Sequence, residues 1–181
     1  MKNLTIITWL CLLTLTINAF GQKTKKTVSK FSSQYSNLNS DCKTLGGGSE
    51  GTDESSDCKG VGGYRVYVGA AAALVHIAVQ APDKKDLIQL ATQDFDFEES
   101  KVKIEWRMTG GKPFAVIMRV SVYAEEVAEG AYFGKKTGEV LIVRGLRGFD
   151  YIDFEVDAKT PDANRKARKS ADKAYSEKNS K

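Results

Sequence analysis

The chain has 181 residues, a formal net charge of +4, one histidine and three cysteines. That length is enough for one domain with a real core and too short for two comfortable ones. A single histidine and the absence of any CxxC spacing argue against a zinc centre, whose ligands come mostly from His and Cys.

The first residues, MKNLTIITWLCLLTLTINAFGQ, place Lys2 before an apolar run from Leu4 to Ile17 and the small pair Ala19 and Gly21 after it. This is the order of a secretory signal peptide, so residues 1–21 are expected to be removed after Gly21, with Ala19 the second choice. The run falls short of the ~20 apolar residues of a comfortable membrane span and is diluted by threonines. No stable membrane anchor is therefore expected after cleavage, and the destination is secreted or periplasmic. Cys11, preceded by Trp9 and Leu10, is no lipidation site.

Residues 22–32 form a basic stretch without apolar periodicity and read as a mobile leader. Cys42 and Cys58 follow, and an even pair in an exported chain predicts a disulfide. The enclosed KTLGGGSEGTDESSD is glycine-rich and acidic and reads as a flexible loop. Closing it should stabilise the fold by about 3 kcal/mol in the chain-entropy view.

After Cys58 the pattern turns to β. Tyr64, Val66 and Val68 share one face of GGYRVYV, and Val75, Ile77 and Val79 share one face of AALVHIAVQ. DLIQLAT is a short third candidate. KVKIEWRM sets Val102, Ile104, Trp106 and Met108 opposite Lys103, Glu105 and Arg107, and KPFAVIMRVSVY aligns Phe114, Val116, Met118, Val120 and Val122. GEVLIVRGL and DYIDFEVDA complete the set, the latter with Ile152, Phe154, Val156 and Ala158 on one side. Period-two alternation bounded by Gly, Pro and Asp predicts half-buried antiparallel strands. Facing Trp106 with Val116 and Met108 with Phe114 requires a three-residue loop, Gly110-Gly111-Lys112, and brings Arg119 diagonal to Glu105 as a cross-strand ion pair on an exposed face.

The last element, TPDANRKARKSADKAYSEK, offers Thr160 as cap and Pro161 at the first helical position. Ala163, Ala167, Ala171 and Tyr175 make a narrow face able to lie close on a sheet, while Arg168 and Asp172 stand one turn apart. The fold class expected is α+β: an antiparallel sheet of about six or seven strands with the C-terminal helix packed on it, spanning residues 33–176, with 177–181 a frayed tail.

Catalytic signals are thin. His76 lies within a strand pattern and has no nucleophile elbow to serve. Asp94, Asp96 and Glu98 begin like a calcium loop with Glu105 at the twelfth position, but Glu99 stands where the loop requires glycine. A looser calcium site there, or among Asp53, Glu54 and Asp57, is the lesser alternative, and the adjacent acids Glu98–Glu99 and Glu125–Glu126 read as solvated loops rather than a glycosidase pair. The glycines of CKGVGGY lead into a strand rather than a helix, so no phosphate loop follows. Residues 31–158 hold 14 basic against 20 acidic residues, whereas from Lys159 onward eight basic residues face Asp162, Asp172 and Glu177. No aromatics interleave the basic ends, so they read as solvated termini, with no nucleic-acid partner.

CKGVGGY from Cys58, KIEWR from Lys103, KPFAVI from Lys112 with Arg119, VLIV from Val140 and the DAN of Asp162 with Arg168 and Asp172 occur in a consistent order. In this the chain resembles a group of uncharacterised secreted bacterial proteins. The resemblance implies an exported bacterial origin and one compact domain, and supplies no activity. Members of that group carry a further cysteine pair near the last strand and the C-terminus; Gly148-Phe149-Asp150 and the tail here have none. The functional expectation is a non-catalytic binding or inhibitor-like module, without cofactor or metal, whose partner is a protein or an envelope polymer. The alternative is a hydrolase using acidic residues.

Overall fold

The computed structural model describes residues 30–38, 40, 42–46, 54–71, 74–83, 87–94 and 102–179. The expected signal peptide, residues 22–29 of the leader, and Asp53, Asp96, Glu98 and Glu99 of the acidic groups lie outside the described residues. Among these residues ten strands and one helix follow in chain order: β1 Phe31–Asn37, β2 Cys42–Gly46, β3 Glu54–Lys59, β4 Arg65–Ala71, β5 Leu74–Gln80, β6 Leu87–Asp94, β7 Lys103–Thr109, β8 Lys112–Tyr123, β9 Lys136–Gly145, β10 Asp153–Asp157 and α1 Ala163–Lys178.

The class is α+β, but the strands form two antiparallel sheets of five rather than one of six or seven. The first runs β1-β7-β8-β9-β10 and the second β2-β3-β4-β5-β6. Their inner faces meet in a core of Val66, Val68, Val75, Ile77 and Val79 against Ile104, Trp106, Met108, Val116 and Met118. Alternation reports that each strand has one apolar face; it does not say whether two such faces belong to one sheet or to two. The extra strands come from segments without apolar alternation. β1, FSSQYSN, takes in residues 31 and 32 of the expected leader and pairs along β7 from Phe31↔Thr109 to Asn37↔Lys103. β2 and β3 lie inside the segment read as a flexible loop, and Cys42 stands directly opposite Cys58. The two cysteines are disulfide-bonded, with Cα atoms 3.8 Å apart.

The β7–β8 hairpin turns through two residues, not three, since Thr109 pairs with Lys112. Gly110 and Gly111 have φ of 53° and 78°, the left-handed conformation at both central positions that a tight hairpin turn favours and glycine tolerates. Trp106 still faces Val116, because a bulge restores the register. Arg107 pairs with Ala115 while Met108 pairs with Pro113, leaving Phe114 as the additional residue. Phe114 consequently leaves the Val116 face, where the alternation put it, and joins Ala115, Ile117, Leu141 and Val143 on the opposite one.

That opposite face is covered by α1. Ala163, Ala167 and Ala171 are buried against it, as the four-residue spacing predicted. Tyr175 closes an aromatic group with Phe31, Phe114 and Phe149, its ring centroid 4.7 Å from that of Phe114. Thr160 is not the cap. Its carbonyl accepts the Ala163 N–H in a preceding turn, and Asp162, at φ 60°, is the residue that enters the helix. The helix continues through Glu177 and Lys178, so the ordered domain extends beyond residue 176. β10 is an edge strand; Ile152 is buried as expected, but Phe154 remains 37% exposed. Among the described residues no helix is long and apolar enough to cross a membrane.

Candidate functional site

Covering one sheet face with a helix changes the meaning of its charged residues. Lys103, Glu105 and Arg107 alternate with the core residues of β7 and so point toward α1. Glu105 and Arg107 are only 6% and 5% exposed there. Charges so buried need partners, and the helix provides them. Both oxygens of Glu105 accept from Arg168, at 2.6 Å to Nε and 3.0 Å to Nη2. The Arg107 guanidinium meets Asp172 bidentately, Nη2 lying 2.7 Å from Oδ2 and Nε 3.1 Å from Oδ1. Ser33 of β1 donates to Glu105 and accepts from Arg107, tying the two pairs together.

Two expected pairings are thereby corrected. Arg119 does not reach Glu105; it bonds Glu139 on β9, with Nη1 3.1 Å from Oε2. Arg168 and Asp172 do not pair along the helix, because each reaches down to an opposite charge on β7.

Beyond the N-terminal half of α1 the same sheet face opens into a cleft of about 750 Å³. Its floor includes Ile117 and Leu141, with Lys103, Glu105, Arg119 and Glu139 around them; Asn164 and Arg168 of the helix, Tyr35 of β1 and Lys136 also line it. Tyr123, at the end of β8, stacks on Phe133 with ring centroids 4.5 Å apart, holding the 124–135 connection beside the cleft. Hydrogen bonds from Lys136 first, and then from Arg119, hold the Glu139 carboxyl below its usual range. The bond to Glu105 raises the Arg168 guanidinium further above its already high value.

The residues singled out for catalysis do not converge here. His76 lies on β5 in the second sheet, its Nδ1 3.1 Å from Thr92 Oγ1. Asp57 is held by Arg65, with Nε 2.7 Å from Oδ1. Glu125 and Glu126 are in the connection after β8, and the described members of the calcium-like group, Asp94 and Glu105, line the cleft. Among the described residues no three His, Cys, Asp or Glu side chains come close enough together to hold a metal ion. Tyr35, Lys103, Lys136 and Glu139 were not singled out by sequence. Tyr35 carries no local signal, while Lys103 and Arg119 fall on one face of the hairpin once its register is written down.

Comparison of the chain with family models, with curated proteins and with solved structures finds no match.

Proposed function

We propose that this protein is a non-catalytic binding module, exported by the segment 1–21, that captures its partner in the cleft on the first sheet. The supporting observation is the state of the two glutamates lining it. Both oxygens of Glu105 are chelated by Arg168, and Glu139 accepts from Arg119 and Lys136 together. A general acid needs a proton it can release to substrate, and a general base needs an oxygen facing it; cationic partners on both oxygens disfavour either task. A concave, partly apolar floor ringed by fixed polar groups is the form of a ligand site.

Cleft blockade tests the reading. Asn164, exposed at the cleft wall, is replaced by Trp, and wild type and variant are compared for capture of envelope polymers and periplasmic proteins. Capture by wild type and its loss in Asn164→Trp is expected. Turnover of peptidoglycan, polysaccharide, ester or peptide substrates that Glu139→Gln or Glu105→Gln abolishes, with the fold intact, would replace it with the hydrolase reading.

A further inference from the structure

The cleft contains an electrostatic arrangement that folding alone does not favour. On β7 and β8, Glu105 pairs with Ile117. One step further along the same face come Lys103, two residues before Glu105, and Arg119, two residues after Ile117. Like charges across neighbouring strands destabilise a sheet, and Glu139 relieves Arg119 alone. Lys103 forms no ion pair or side-chain hydrogen bond among the described residues. Arg119 is drawn toward β9, where Glu139 already serves Lys136 at 3.0 Å. One carboxylate thus answers two cations, and a third stands alone.

Beside them is Tyr35, 56% exposed and hydrogen-bonded to the helix. Its hydroxyl accepts from Arg168 Nη2 at 3.2 Å, and Arg168 is itself clamped by Glu105. An exposed aromatic ring whose hydroxyl is held by an arginine clamped on a buried carboxylate is a partly preorganised contact surface, with less entropy to lose on binding.

We infer that Lys103 and Arg119 receive the carboxylate of an acidic saccharide whose ring lies against Tyr35. This rests on the binding reading above and names its ligand class. A saccharide fits better than an acidic peptide because β7, β8 and β9 are interior strands, each paired on both sides. Among the described residues the free backbone edge on this side belongs to β1, at the rim beside Tyr35, whereas over Lys103 and Arg119 the strands are paired on both sides and recognition falls to side chains. Sugar rings present apolar C–H faces to an aromatic ring and carboxylates to cations.

The experiment measures affinity by titration calorimetry for a uronic-acid oligosaccharide, its carboxyl-reduced counterpart and poly-glutamate. Lys103→Ala, Tyr35→Ala and Asn164→Trp are run beside wild type. Wild type is expected to bind the uronate, with salt-sensitive affinity, and Lys103→Ala and carboxyl reduction should each weaken it about tenfold. Tyr35→Ala should weaken the uronate and the reduced sugar alike. Lys103→Ala should leave the urea midpoint unchanged or raised, since it removes a like-charge contact. Equal affinity for the reduced sugar, preference for poly-glutamate, or a lowered midpoint in Lys103→Ala overturns the inference. Uronate binding that survives Asn164→Trp also overturns it, by removing the ligand from the cleft. A neutral or basic ligand blocked by Asn164→Trp would overturn this assignment while leaving the binding cleft standing.

Discussion

Arg107 of β7 and Asp172 of α1, 65 positions apart in the chain, form a bidentate pair that fastens the helix to the first sheet. The arginine side chain is 6% exposed and the aspartate 24%. Removing the acid takes the close carboxylate from a buried guanidinium and leaves it Ser32, Ser33 and Glu105, the last 3.8 Å away. Asp172→Ala is therefore expected to cost about 3–5 kcal/mol. The double variant Arg107→Met, Asp172→Leu should cost less than the single one, because no buried charge is left alone. Urea unfolding of the three proteins checks both statements, and a single variant within experimental error of wild type would refute the first.

Trp106 is fully buried, packs near Tyr64 with ring centroids 5.8 Å apart, and donates from Nε1 to Ser36 Oγ at 2.8 Å. Trp106→Ala should cost about 3–5 kcal/mol through the cavity it leaves. Trp106→Phe keeps most of the volume but deprives Ser36, itself 5% exposed, of its partner. Its cost should be smaller and of the order of ~1 kcal/mol. Denaturant midpoints for the pair separate packing from hydrogen bonding.

The Cys42–Cys58 bridge joins directly opposed residues at the edge of the second sheet, across a sequence separation of 16. Reduction should lower stability by about 3 kcal/mol, chiefly by releasing the unfolded chain. Because β2 is an edge strand that pairs, among the described residues, with β3, hydrogen exchange should accelerate there first on reduction. Intact mass before and after reduction verifies the bond.

Glu139 provides the pH-dependent term. Folding lowers its pKa below the ordinary 4.5, through the bonds from Lys136 and Arg119. A lowered folded-state value means that the stabilisation is complete above the unfolded value and is lost as pH falls through the folded one. The side chain is 39% exposed, so solvent screening keeps the effect small. Wild type should exceed Glu139→Gln in urea midpoint at about pH 6, and the difference should shrink as pH drops below the ordinary carboxylate range. A difference that stays constant across that interval would show that the carboxylate charge is not what matters.

Local pattern determined a good deal of this protein by itself. The inward sides of β4, β5, β7 and much of β8, the burial of Trp106 opposite Val116, the cysteine pair and the alanine face of α1 all follow from residue spacing, because side-chain direction alternates along a strand and recurs every turn on a helix. Spacing is silent about what lies over a face. Only the tertiary structure divided the strands into two sheets, moved Phe114 to the helix side through a bulge, and made strands of the polar segments 31–37 and 42–46 by supplying β7 and β3 as partners. The same holds for charge. Glu105, Arg107, Arg168 and Asp172 were each visible, but hairpin register matched Glu105 with Arg119, helical spacing matched Arg168 with Asp172, and Arg107 had no match. Their true partners lie across the sheet–helix interface, where burial makes a close opposite charge worth far more than a solvated one a turn away. The cleft inherits this: Tyr35 reaches it only because β1 pairs with β7, and Arg168 holds that tyrosine's hydroxyl only because Glu105 is buried beneath the helix.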